Sequence, residues 1–181
     1  MTTRESYMPG PAAGAEVRKD GDQWTLVLVR DLRHAPAKVW QALTDPAQLA
    51  EWAPFDTDRS LAAIGPVKLT TIGAPQEHIT ENTVKRADAP KLLEYSWSGS
   101  DLRWELEPRA GGTRLRLSHK IDRRFIAWGA AGWHICFDVL DHLLAGEPLG
   151  RMVGPPVMQF GGWQRLTAEY GKQFGVEAPS W

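Results

Sequence analysis

The sequence predicts an α+β domain whose helices cover one face of an antiparallel sheet. Two short helical patterns follow a strand near the start, strand-like sequence fills the middle, and one long helical pattern occupies the last third. A sheet with one apolar face has to bury it, and helices segregated in this order are the available cover.

Trp24 to Leu32 alternates Trp24, Leu26 and Leu28 against Thr25, Val27 and Val29, and its β-branched residues suit a pleated strand, read as an edge or first strand. Ordered structure is expected to begin near Gln23. Residues 1–21, with Pro9, Pro11 and several Gly and Ala, are then a disordered N-terminal tail. After Ala35, Pro36 suits an early helical position, where its missing N–H has no partner to lose. Val39, Trp40 and Leu43 recur at helical spacing until Asp45-Pro46 ends the helix. A second short helix covers Ala47 to Trp52, and Trp40 and Trp52 pack the pair against the sheet.

Strand patterns follow over Val67 to Ile72, His78 to Arg86 and Leu92 to Trp97. A hairpin joins Leu102 to Glu107 with Thr113 to Lys120 through the turn Pro108-Arg109-Ala110-Gly111-Gly112. With Glu107 opposite Arg114, Glu105 meets Arg116, Trp104 meets Leu117 and Leu102 meets His119. Opposite charges then line one face and apolar groups the other. A slip of one residue would expose Trp104, Leu106, Leu115 and Leu117 together, so the pattern specifies the register and turns His119 inward.

From Ala127 to Ala145 the period becomes helical, with Trp133, Phe137, Leu140 and Leu144 on one stripe and Gly146 as a stop: a long amphipathic helix. The Pro- and Gly-rich stretch from Gly146 to Phe160 reads as an extended loop before a final helix, Gly162 to Phe174. No repeat or second domain is evident. One domain spans residues 22–175, with a tail at 176–181.

The composition, 181 residues with 43% hydrophobic and 24% charged, supports a single globular domain with a sizeable core and room for an internal cavity. With 21 basic and 22 acidic side chains there is no global positive field, which argues against nucleic acid and anionic membrane surfaces as partners. No segment approaches the ~20 apolar residues of a membrane span, and the N-terminus lacks a signal-peptide pattern. The single cysteine, Cys136, cannot form an internal disulfide. Inside a helical pattern it reads as a small buried hydrophobe, in keeping with a reducing cytoplasm.

Four segments together resemble a known superfamily. Ala35 to Pro46 with Trp52 after it, the strand Pro90 to Trp97, the hairpin Glu107 to Leu117 and the helix Gly132 to Glu147 are similar, in this order, to START-like (SRPBCC) proteins. The likeness is to the bacterial branch resembling the C-terminal domain of the activator of the heat shock protein 90 ATPase. It covers about Trp24 to Gly175. The resemblance implies a helix-grip fold: a curved antiparallel sheet wrapped around a long C-terminal helix, two short helices after the first strand, and an extra terminal helix. It also implies, as in many members, an apolar ligand held between sheet and helix. It transfers no catalytic residue and no cofactor.

Candidate lining residues are Tyr95, Trp97, Leu102, Trp104 and His119 on strands, facing Trp133, Phe137 and Leu140 on the long helix, with Trp52 from the helix pair. Nine Trp residues leave irregular gaps that favour a ligand-sized cavity; the competing reading is that these side chains fill one another. His134, Asp138 and His142 lie one helical turn apart, with Asp141 beside them. A transition metal could be held there, but the polar stripe of an amphipathic helix explains the same pattern, and no metal is expected.

The preferred function is binding of a small hydrophobic or aromatic ligand. A second reading is a protein-interaction module, since the similar eukaryotic domain contacts a chaperone, although its companion N-terminal domain has no counterpart in this sequence. A third is a polyketide cyclase-like or hydrolase-like enzyme using His119, with Tyr95 or Asp138, as acid and base. No phosphate loop, nucleophile elbow or paired-cysteine knuckle supports a more specific enzyme. A homodimer is expected from the apolar surface that Trp128, Trp163, Met152, Val153, Val157, Met158 and Phe160 would otherwise leave exposed.

Overall fold

The computed structural model describes residues 2–73 and 78–177. In chain order the strands are β1 (Ala15–Asp20), β2 (Gln23–Leu32), β3 (Phe55–Thr57), β4 (Gly65–Thr71), β5 (His78–Asp88), β6 (Leu92–Trp97), β7 (Ser100–Arg109) and β8 (Gly112–Lys120). The helices are α1 (Pro36–Thr44), α2 (Pro46–Trp52), α3 (Ile126–Leu144), α4 (Pro155–Met158) and α5 (Gly161–Phe174). All the strands join one antiparallel sheet in the order β1-β2-β8-β7-β6-β5-β4-β3, curled around α3 in a helix grip.

Local chemistry accounts for the joints. Asp45 ends α1 and caps α2: its extended backbone breaks the first helix, and its Oδ2 accepts the Gln48 N–H at 3.1 Å. Pro46 occupies the first turn of α2, and the Trp52 indole reaches back to the Ala42 carbonyl at 2.9 Å, locking the helix pair. In the hairpin, Leu102 lies opposite His119, Trp104 opposite Leu117, Glu105 opposite Arg116 and Glu107 opposite Arg114, as the alternation requires.

Three expectations are corrected. Residues 1–21 are not all tail: Ala15–Asp20 pairs with β2, so β2 is flanked on both sides and is not an edge. Tyr7 is buried, and the segment before β1 is tied to α5 by Ala12 N–H to Glu169 at 3.0 Å and Tyr170 Oη to the Ala13 carbonyl at 3.0 Å. Such long-range ties leave no local period to read. The three-residue β3 is likewise too short to show alternation. Finally, α3 is not a simple amphipathic helix; Ile135, Val139 and His134 are buried as well as Trp133, Phe137 and Leu140, because α5 and the N-terminal segment cover the side away from the sheet.

At the C-terminal end, α5 stops at Gly175 in the left-handed region, with Val176 N–H bonded to the Gly171 carbonyl at 3.0 Å and Val176 buried. Residues 178–181 of the expected tail lie outside the described residues. Among the described residues no helix is long and apolar enough to cross a membrane.

Candidate ligand cavity

The middle of the sheet–helix interface is solid. Trp104 meets Trp52 edge-on with ring centroids 5.9 Å apart, and packs against Trp133 at 5.6 Å and Phe137 at 5.9 Å. Its indole N–H donates to the Tyr95 hydroxyl at 3.0 Å, which burial holds in its neutral form by pushing its pKa up. Leu102 and Leu140 are fully buried beside them. Trp52, Tyr95, Leu102, Trp104, Phe137 and Leu140, expected as cavity lining, are therefore core: tilted and edge-to-face rings interlock and leave no gap among them.

A cavity of about 400 Å³ lies beyond that core, at the N-terminal half of α3. Trp97, His119 and Trp133 are the sequence candidates that border it. Helix α3 contributes one face, Gly129, Gly132, Trp133 and Cys136, at spacings of a helical stripe. Thr71 to Gly73 at the end of β4, Ile121 after β8, and Phe125 and Trp128 continue the wall. The opposite side is Met152 to Pro155, Val157 and Met158, with Trp163 from α5.

The segment of apolar residues expected to seek a dimer partner thus folds back onto its own chain. Trp163 and Val157 are buried, and Trp128, Met152, Val153, Met158 and Phe160 pack half-buried against the core. Two glycines permit the contact. Gly73 and Gly154 both have positive φ, and a Cβ on Gly73 would stand 2.9 Å from the Gly154 Cα, so the backbones touch where any side chain would separate them.

Arg151 pins this wall. Its Nη2 donates to the Leu49 carbonyl at 3.1 Å, the Phe55 carbonyl at 3.3 Å and Asp56 Oδ1 at 2.6 Å, fastening the segment to α2 and β3. The N-terminal segment straps it from outside: Arg4 donates to the Arg151 carbonyl at 3.0 Å, and Tyr7 stacks on Phe160 at 6.1 Å.

Charge is missing from the lining: among the described residues, no Asp, Glu, Lys or Arg borders the cavity. Its polar groups are Thr71, His119 and Cys136. The Thr71 hydroxyl accepts the Trp97 indole N–H at 3.0 Å. His119 Nδ1 accepts the Trp133 indole N–H at 3.1 Å; because indole only donates, that nitrogen is unprotonated and the ring proton sits on Nε2. Burial lowers the His119 pKa to about 4, so the ring is neutral at physiological pH, and pushes the Cys136 thiol up to about 12, so it is no thiolate.

The polar stripe on α3 has a different use. Asp138 Oδ1 takes Arg30 Nη1 at 2.6 Å, and its Oδ2 accepts the Tyr7 hydroxyl. His134 Nδ1 is 2.7 Å from the Tyr170 hydroxyl, and His142 faces a shallow polar recess with Tyr7. His134, Asp138 and His142 form no ligand set, because the Asp138 oxygens hold Arg30 and Tyr7. Among the described residues no group of three or more His, Cys, Asp or Glu could hold a metal.

A helix gripped by a curled antiparallel sheet, with a recess between them, defines the helix-grip class of START-like domains. Residues 33–145 match the family described as Activator of Hsp90 ATPase homolog 1-like protein, and this chain belongs to that family. No curated protein matches the chain. Among solved structures, a conserved protein of unknown function from Enterococcus faecalis superposes with TM-score 0.68 at 16% identity, over 90% of this chain and 92% of that one. CalU16 from Micromonospora echinospora gives 0.62 at 18% identity over 90% and 92%. The MLL2253 protein from Mesorhizobium loti gives 0.59 at 27% identity over 69% of this chain and 99% of its own.

Proposed function

We propose that this protein binds one small, uncharged hydrophobic or aromatic molecule in the cavity beside α3. The carrying observation is the lining: Trp97, Trp128, Trp133, Trp163 and Phe125 around a space of about 400 Å³, no charged side chain among the described residues, and one oriented donor, His119 Nε2–H. That volume is at the small end for organic ligands, and an apolar wall with one fixed polar contact is how such sites set orientation. An ionised ligand would leave water without a counter-charge to meet it.

His119 fits binding better than acid–base turnover. A general base needs a free lone pair, but Nδ1 already accepts from Trp133 and Nε2 already carries the proton. The neutral ring is a hydrogen-bond donor to a carbonyl, ether or phenol oxygen. Native mass spectrometry and tryptophan fluorescence titration against a panel of neutral aromatics and lipids test the reading. One-to-one complexes that quench the indoles are expected; a panel with no binder would overturn it.

A further inference from the structure

Gly132 occupies the middle of α3, where a glycine is a poor choice for helix formation. The usual reasons for a glycine do not apply there. Its φ is not among the positive ones, and a Cβ built on it meets nothing within 4 Å, so neither backbone strain nor close packing calls for a missing side chain. Gly129, one turn earlier on the same stripe, differs: a Cβ there would come within 2.8 Å of the Ile121 Cδ1. What a side chain at 132 would enter is the space bordered by Gly132, Trp133 and Cys136 on this face of α3.

We propose that Gly132 is the size-determining residue of the cavity: the bare backbone it leaves on α3 is the floor against which the widest part of the ligand lies. This rests on the ligand-binding reading above and deepens it. The position suits a flat face, because the flanking wall is Trp133, whose indole is held by the bond to His119 and cannot swing into the space without losing it. A ligand with its acceptor on His119 Nε2–H extends along the stripe from Trp133 toward Gly132.

The test compares wild type, Gly132→Ala and Gly132→Leu for binding of two uncharged probes, the larger N-phenylnaphthylamine and the smaller naphthol, alongside thermal midpoints. Gly132→Ala is expected to raise the midpoint by about 2–4 °C, as a helical Gly-to-Ala change without a clash should. The larger probe should lose affinity about threefold in Gly132→Ala and more than tenfold in Gly132→Leu, while naphthol keeps its affinity within about twofold in Gly132→Ala. Retained naphthol binding separates filling of the floor from misfolding, and should Gly132→Leu fail to fold, the Gly132→Ala comparison decides. Equal affinity of the larger probe for wild type and a folded variant would overturn the role of Gly132 while leaving the cavity reading intact. A wild type that binds neither probe would remove both.

Discussion

Trp133 donates its indole N–H to His119 Nδ1 at 3.1 Å, across the boundary between helix α3 and strand β8. One bond orients one of the two tryptophans that α3 gives the wall and selects the tautomer that presents Nε2–H. Burial of the same ring makes the site sensitive to acid. The His119 pKa falls from 6.5 in the unfolded chain to about 4 in the folded one, because burial disfavours the charged ring. The unfolded state therefore binds the extra proton first, and stability is lost as pH falls from 6.5 toward 4. The loss is on the order of 3 kcal/mol. Denaturant unfolding across that window should show this slope in wild type and a shallower one in His119→Gln, whose side-chain carbonyl can still accept from Trp133. Equal slopes would show that His119 does not carry the acid sensitivity.

Core and lining should separate by mutation. Trp104 is fully enclosed by Trp52, Trp133 and Phe137, and Trp104→Leu should cost about 3 kcal/mol in unfolding free energy while changing probe affinity less than about threefold. Trp97 is half-buried and borders the cavity, so Trp97→Leu should cost less stability and weaken probe binding more. The opposite ordering would place the ligand in the sheet interior.

Ligand charge is a second discriminator. With no cation in the lining among the described residues, a carboxylic acid should bind at least about tenfold more weakly at neutral pH than its methyl ester, since the carboxylate gives up hydration for a single neutral donor. Calorimetric titration of an acid and ester pair of the same skeleton measures this directly.

Arg151 should behave as a structural clamp. Arg151→Ala removes the one donor group shared by the Leu49 and Phe55 carbonyls and Asp56, and is expected to destabilise by about 2–3 kcal/mol and to speed proteolytic cleavage between residues 146 and 160. Arg151→Lys should recover little, because one ammonium on a flexible stem replaces a planar fork placed among Asp56 and two carbonyls. Mass mapping of the first cleavage products checks the location.

The hairpin was legible because its information is local. Glu105 and Arg116 on one face, Trp104 and Leu117 on the other, alternate with a period that only one pairing satisfies. Asp45-Pro46 was legible for the same reason: the proline disfavours helical backbone at Asp45, whose carboxylate then caps the next helix through the Gln48 N–H. Met152, Val153, Val157 and Met158 misled, since an apolar run in a Pro- and Gly-rich loop looks alike whether it seeks a partner chain or its own α3. The available sign was Gly154, a residue that lets the segment touch Gly73. Tyr7 and Asp138 are far apart in sequence, so nothing local announced their bond or the strap it fastens.

By itself, the sequence determined the order of the longer helices and of every strand but β1 and β3, the register and inward face of the hairpin, and the family, because periodicity, capping and turn chemistry act over a few neighbouring residues. Tertiary structure alone decided that Trp104 and Phe137 close on one another while Trp97, His119 and Trp133 border open space. Ring packing depends on angles and separations between elements distant in the chain, and a difference of one or two ångströms there divides a filled core from a cavity.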